Sequence, residues 1–249
     1  FLNLMDAHLP YHPPEPFRSR FAPGADPAAV CQNSKEYNAG VRAIDDAEWS
    51  ALGDLYDAAI ASMDDAVGRL LSAADAHSAV PPIVVIAADH GELLGEHELL
   101  GHEFAVYDPL VHVPLVIRHP ALPQGRLGGT VELLDLYHTL LAGRGTDAGV
   151  DPTRCMTDPR YRRFEAVPAD ARDPGQHGDP TTAYIEYARP VIELAQLERR
   201  AAAAGATVAA DHRARASMRA ARRPDAKLVD SSLAAPEGFD LRADPDEAA

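Results

Sequence analysis

Between Asp89 and Glu103 the chain places Asp89, His90, Glu92, Glu96, His97, Glu98, His102 and Glu103, with Gly91, Gly95 and Gly101 among them and no lysine or arginine. Carboxylate oxygens and imidazole nitrogens crowded together without a basic partner suit a cation. Glycines let the backbone approach a bound group closely. Asp89 and His90 lead the cluster as one hard oxygen donor beside one imidazole nitrogen, and we read them as ligands of a divalent metal. Alone, such a pair would equally cap a helix and turn a loop; the surrounding acids and imidazoles favour the cation. The stretch His97-Glu98-Leu99-Leu100-Gly101-His102 looks like a zinc-protease motif, but its histidines are five residues apart rather than four. On a helix that sets them about 140° apart, off a shared face.

Position on the fold sharpens this reading. The apolar run Ile83-Val84-Val85-Ile86, bounded by Pro82 and Gly91, predicts a buried strand of a parallel sheet ending at Asp89. Open α/β sheets build their sites at the carboxyl ends of strands. At the start of the chain Phe1, Leu2 and Leu4 predict a second buried strand, ending in Asp6 and His8 before Pro10 stops it. Two strand tips carrying Asp and His to one sheet edge predict one pocket.

The remaining elements follow from periodicity and punctuation. Residues 9–40 hold Pro10, Pro13, Pro14, Pro16, Pro23 and Pro27 and predict an extended, lid-like loop. A long helix is expected from about Asp46, with Trp49, Leu52, Tyr56, Ile60, Met63, Val67, Leu70 and Leu71 as a stripe packed against the sheet. Residues 143–180 scatter Gly, Pro, Asp and Arg and read as loop or surface insertion. Thr182–Tyr187 predict a short strand and residues 190–204 an Ala-rich amphipathic helix. Arg199, Arg200, Arg213, Arg215, Arg219, Arg222 and Arg223 form a basic streak, either a solvated face paired with the protein's own carboxylates or a rim for an anionic substrate.

Composition bounds the class. At 249 residues and 46% hydrophobic content the chain can bury a sizeable core. Its net charge of −15 argues against a nucleic-acid partner. No apolar run reaches the roughly 18 residues a membrane span needs, and no secretory signal is visible within the sequence. Two distant cysteines, Cys31 and Cys155, give no disulfide framework. A cytoplasmic location is the default expectation, with room for an export signal upstream. Only Lys35 and Lys227 are lysines, so the acidic, Asp- and Ala-rich balance fits either a salt-adapted protein or a GC-rich genome.

Together these stretches resemble the sulfatase branch of the alkaline-phosphatase-like superfamily. The residues that carry the resemblance are Met5-Asp6-Ala7-His8-Leu9-Pro10-Tyr11 and Asp89-His90-Gly91-Glu92 through Gly95-Glu96-His97 and Gly101-His102. They continue in Tyr107-Asp108, Val113-Pro114-Leu115-Val116-Ile117 and Val131–Leu141, then Ser217–Arg222 with Lys227-Leu228-Val229, and Phe239-Asp240-Leu241. The resemblance implies an α/β three-layer sandwich of the alkaline-phosphatase/sulfatase type with a small C-terminal α+β subdomain. Residues 1–145 would be the C-terminal part of the catalytic domain, 146–180 an irregular insertion, and 181–249 the subdomain of helix and antiparallel strands.

It also implies roles. Asp89 and His90 fall on the family's late pair of metal ligands, the metal being usually calcium, with magnesium, manganese or zinc as alternatives. His8 matches a histidine that contacts the sulfate or leaving oxygen. His102, thirteen residues after Asp89, stands where many sulfatases carry a lysine against the sulfate. Asp6, Glu92 and His97 are second-shell or undecided, and His12 and His112 are structural or exposed. The family nucleophile, a cysteine or serine in Cys/Ser-x-Pro/Ala-x-Arg that is oxidised to formylglycine, has no counterpart here. Cys31 is followed by Gln32-Asn33, and Cys155 by Met156-Thr157-Asp158-Pro159-Arg160. The early acidic pair is absent too, and the chain opens without an initiator methionine. The expectation is therefore the C-terminal portion of a metal-dependent sulfuric ester hydrolase, inactive alone, acting on a small sulfated or phosphorylated substrate. A phosphoester or phosphonate hydrolase on the same scaffold and a non-catalytic remnant are the alternatives.

Overall fold

In the computed structural model Phe1, Leu2, Leu4 and Met5 are exposed and form no strand, contrary to the sequence expectation. An extended segment becomes a strand only when a neighbour accepts and donates its ladder hydrogen bonds, and none of the described residues pairs with it. The chain turns at residues 6–9 instead, with the His8 amide donating to the Met5 carbonyl at 3.3 Å. The structure describes residues 1–119, 124–125, 130–143, 145, 149–152, 154–158, 161 and 182–247. They form two compact units, each assembled from three stretches.

The first unit comprises Phe1–Pro82, Glu92–Phe104 and Pro190–Arg215. Its helices are α1 (Phe17–Phe21), α2 (Ser34–Asn38) and α3 (Asp46–His77). The predicted lid-like loop is therefore partly helical, and it supplies core residues rather than a bare extension. α3 starts where Asp45 accepts the Glu48 amide at 2.8 Å, with Asp46 and Glu48 in the first turn matching the helix dipole. Leu52, Leu55 and Ala58 bury against Tyr11, Ala22 and Leu100, flanked by Trp49, Tyr56 and Leu94. Farther along, Ile60 and Leu70 are exposed, so the long stripe is buried only over its first half. The expected strand-like β-content of this unit is small: β2 (Leu93–Leu94) pairs antiparallel with β3 (Leu100–Gly101).

The second unit comprises Ile83–Gly91, Ala105–Arg189 and Ala216–Ala249. The apolar run forms β1 (Val84–Ala87), but it pairs antiparallel with β4 (Leu115–Arg118), Val84 opposite Arg118 and Ala87 opposite Leu115. The parallel expectation thus fails for the described strands, because an apolar run reports burial and says nothing of the partner's direction. Between them lies α4 (Asp108–Val111), and after β4 comes α5 (Leu133–Gly143).

β5 (Ala183–Tyr187), β6 (Met218–Arg222), β7 (Ala226–Ser231) and β8 (Glu237–Asp240) form a four-stranded antiparallel meander in chain order. The C-terminal hairpin and closing strand are as expected. The predicted 190–204 helix is α6 (Val191–Ala203), which belongs to the first unit and buries Leu194, Leu197 and Ala201 with Phe104 and Val208.

In the second unit Lys227 is fully buried, its ammonium 2.9 Å from both Asp108 and Glu247, and Arg222 reaches Asp108 at 2.8 Å. The arginine streak pairs with the protein's own acids in each unit: Arg200 with Glu36 and Arg215 with Glu198, then Arg219 with Glu186 and Arg222 with Asp108. Much of the expected insertion at 146–180 lies outside the described residues; within it Arg154 bonds Glu132 and the buried Asp135. Cys31 and Cys155 are buried and carry no disulfide. Among the described residues no helix is long and apolar enough to cross a membrane.

Candidate functional site

Within the first unit the β2–β3 hairpin gathers a cluster of acid, imidazole and phenol side chains. Gly95, at φ +115°, turns the chain over the Trp49 ring, which a Cβ there would meet at 3.4 Å. Leu94 pairs with Leu100 and Leu93 with Gly101, so the next rung sets Glu92 opposite His102. Their side chains meet, His102 Nδ1 lying 3.0 Å from Glu92 Oε1, with the Glu92 side chain only 3% exposed. The second carboxylate oxygen accepts the Tyr11 hydroxyl at 3.2 Å. Burial, helped by the Glu92 charge, pushes the Tyr11 phenol far up, so it stays protonated and donates. Glu92 in turn holds the His102 imidazole above its ordinary value: its hydrogen bond outweighs the opposing cost of burial, and Glu103 adds to the rise.

His8 completes this group, its ring centroid 5.1 Å from that of His102. His8 Nδ1 sits 2.5 Å from the Leu9 carbonyl, which only accepts; the neutral ring therefore carries its proton on Nδ1 and its lone pair on Nε2. Two imidazoles so placed, one of them held by a buried carboxylate, are suited to bind an anion and to move a proton. Gly101, at φ +95°, lets α2 approach: a Cβ there would lie 3.1 Å from Ser34 Cβ. Beside Ser34, the ammonium of Lys35 pairs with Glu103.

The other predicted residues are placed as follows. Asp6 is exposed and, with Met5, Pro10 and His12, lines a cavity of about 150 Å³ against α3. His97 is half-buried at the hairpin tip, within the tight turn Glu96–Glu98 at φ +53°. His12 and His112 are exposed. Tyr11, Lys35 and Glu103 are site residues to which sequence reasoning assigned no role; Lys35 stood out only as one of two lysines.

Asp89 and His90 follow β1 in the second unit, so the predicted pairing of two strand tips does not form as such: Asp6 and His8 end no strand. Gly91 fixes the turn after them. Its amide donates to the Leu110 carbonyl at 2.8 Å, and a Cβ there would fall 2.0 Å from the Pro109 carbonyl oxygen, where only glycine fits. The Asp89 carboxylate is 88% exposed, with Oδ2 at 3.9 Å from His90 Nε2. His90 Nδ1 faces the Gly91 carbonyl at 2.9 Å, which calls for a proton there and leaves the lone pair on Nε2. One carboxylate and one imidazole so presented fit part of a divalent cation's coordination shell. Among the described residues no three His, Cys, Asp or Glu side chains are grouped to hold a metal.

Comparison with known proteins gives the chain its family. The uncharacterized sulfatase YidJ of Escherichia coli (strain K12) is 33% identical over 88 residues, 35% of this chain and 18% of that protein. The phosphonate monoester hydrolase of Agrobacterium radiobacter superposes with a TM-score of 0.58 at 24% identity, covering 95% of this chain and 49% of that one. A structure solved with its substrate D-glucosamine-2-N,6-O-disulfate superposes with a TM-score of 0.53 at 22% identity, covering 81% of this chain and 36% of that one. This chain thus spans half or less of the length of these relatives, and its fold is the α/β fold of the sulfatase and alkaline-phosphatase-like proteins. The sulfatase family model matches residues 1–145, more than half of the sequence, and the chain belongs to the sulfatase family.

Proposed function

We propose that this chain is part of a metal-dependent hydrolase of sulfuric esters, in which His8 and His102 contact the ester and Asp89 and His90 hold the metal. The observation that carries the reading is the His102–Glu92 pair at 3.0 Å, which favours the protonated form of an imidazole whose ring lies 5.1 Å from that of His8. Cleaving a sulfate ester gathers negative charge on the departing oxygen. Fixed cations and hydrogen-bond donors stabilise that charge where it develops, and a positioned acid protonates the leaving group. In this reading His102 binds a sulfate oxygen through Nε2–H. His8 Nε2 would accept the proton given up by the attacking nucleophile and pass it to the leaving oxygen as the ester bond breaks.

Asp89 and His90 would hold a divalent ion, proposed as calcium, which would supply Lewis acidity for ester cleavage. Its remaining ligands and the formylglycine nucleophile are assigned to sequence outside these 249 residues, since no Cys/Ser-x-Pro/Ala-x-Arg motif occurs within them. The substrate proposed is a small sulfated molecule, in line with the disulfated glucosamine of one structural neighbour.

Two measurements test this. Calcium titrated calorimetrically into the chain should bind saturably, and Asp89→Ala should weaken it at least tenfold; equal affinity removes Asp89 from the ligand set. In the natural full-length polypeptide, an aryl sulfate should be turned over and His102→Ala should slow it. The Agrobacterium neighbour motivates a second reading, hydrolysis of a phosphonate or phosphate monoester. Faster turnover of a phenyl phosphonate ester than of the sulfate would select it, and turnover of neither would favour a non-catalytic remnant.

A further inference from the structure

We infer that Lys35 is a second anion-binding cation of the same pocket, its ammonium steadied by Glu103 beside His102. This rests on the sulfuric-ester reading of His102 and goes beyond it, because Lys35 lies on another element, far away in sequence. Three observations carry it. The start of α2 is packed directly on the end of β3, with Gly101 admitting Ser34, so Lys35 enters the neighbourhood of His102. The Lys35 and Glu103 side chains are each 16% exposed, so the ion pair is largely withdrawn from water without being fully buried. An ammonium has three N–H donors; Glu103 accepts one, and among the described residues no further acceptor meets Lys35.

The charges facing His102 are Glu92 and Glu103, which favour its protonated form, and Lys35, which opposes it; the His8 ring lies alongside. His102 and Lys35 thus each lie against their own carboxylate, Glu92 for the first and Glu103 for the second, and a dianion could meet both groups. An imidazolium gives up its charge at alkaline pH, whereas an ammonium keeps it. A pocket with both retains affinity for an anion after His102 has lost its proton.

The test uses inorganic sulfate, titrated at constant ionic strength into the full chain and followed through the imidazole resonances of His8 and His102. Lys35→Met with Glu103→Gln removes the pair without stranding an acid, and circular dichroism checks its fold. Sulfate affinity should fall about tenfold at neutral pH, the worth of one charge-assisted hydrogen bond. The alkaline residue of binding seen in the wild type should vanish in the variant. Lys35→Arg should bind within about threefold of the wild type. Binding abolished by His102→Ala but unchanged in the double variant would overturn the role of Lys35 alone. No saturable sulfate binding to the wild-type chain would overturn both that role and the reading beneath it.

Discussion

Glu92 and His102 face each other across the rung that follows Leu93 and Gly101, and their side chains close to 3.0 Å. One buried acid thereby governs the charge of the imidazole that the proposed chemistry relies on. Replacing Glu92 with Gln removes the dominant cause of the raised His102 value and leaves burial, which acts the other way. The His102 midpoint, read by NMR titration, should fall to or below the ordinary imidazole value of 6.5. The sign for stability follows. A histidine raised on folding stabilises fully below its unfolded value and loses that contribution as pH rises through its folded value. Wild-type stability should therefore decline across that alkaline side, and the decline should flatten in Glu92→Gln. An unchanged His102 midpoint would contradict the pairing.

The buried group around Lys227 predicts a large loss of stability on truncation. Lys227→Met leaves Asp108 and Glu247 facing each other in the interior, with Arg222 still 2.8 Å from Asp108. Removing one partner of a buried ion pair costs about 3–5 kcal/mol, which urea denaturation would read as a lower midpoint. Burial alone would raise the Asp108 carboxyl, but hydrogen bonds and charges from Arg222 and Lys227 outweigh it and hold the group below its usual range. A carboxyl lowered on folding stabilises above its unfolded value. That contribution is lost as pH falls through the folded value, so the acid unfolding limb should be shallower in Asp108→Asn.

Gly91 predicts a steric effect. A Cβ 2.0 Å from the Pro109 carbonyl oxygen meets backbone, which cannot swing aside as a side-chain tip could. Gly91→Ala should cost about 1–3 kcal/mol, typical of overpacking, and should weaken the calcium binding proposed above by displacing Asp89 and His90. Wild-type stability and calcium affinity in Gly91→Ala would show the turn to be more tolerant than this.

His212 predicts an acid sensitivity confined to the first unit. Its Nδ1 accepts the Ala214 amide at 3.1 Å, so Nε2 bears the proton and donates to the Asn38 carbonyl at 3.0 Å. Burial, with Arg213 and Arg215 adding to it, lowers this imidazole from 6.5. Its contribution is present above the unfolded value and lost as pH falls through that value toward the folded one. Protection of the Ala214 amide, corrected for intrinsic exchange, should fall as pH drops below the ordinary imidazole value of 6.5. His212→Gln, which keeps a donor and an acceptor but does not titrate, should remove that dependence.

What the sequence determined by itself was local. The stripe from Trp49 through Leu52 and Tyr56 is α3, the run Val84-Val85-Ile86 is β1, and Asp89 and His90 are neighbours whatever the fold does, because these follow from short-range periodicity and from adjacency. The motif from Asp6 to His102 also named the family, with its match over residues 1–145.

Tertiary structure decided the rest. Phe1, Leu2 and Leu4 look like a strand by composition, yet a ladder needs a second backbone, and the described chain offers none there. The direction of β1's partner is likewise absent from an apolar run. Glu92 meets His102 because Gly95 turns a hairpin of one register, and Lys35 meets Glu103 at a separation of 68 positions. Contacts between residues so distant arise from packing against shared neighbours such as Tyr11 and Leu100, and no local pattern of side chains encodes them.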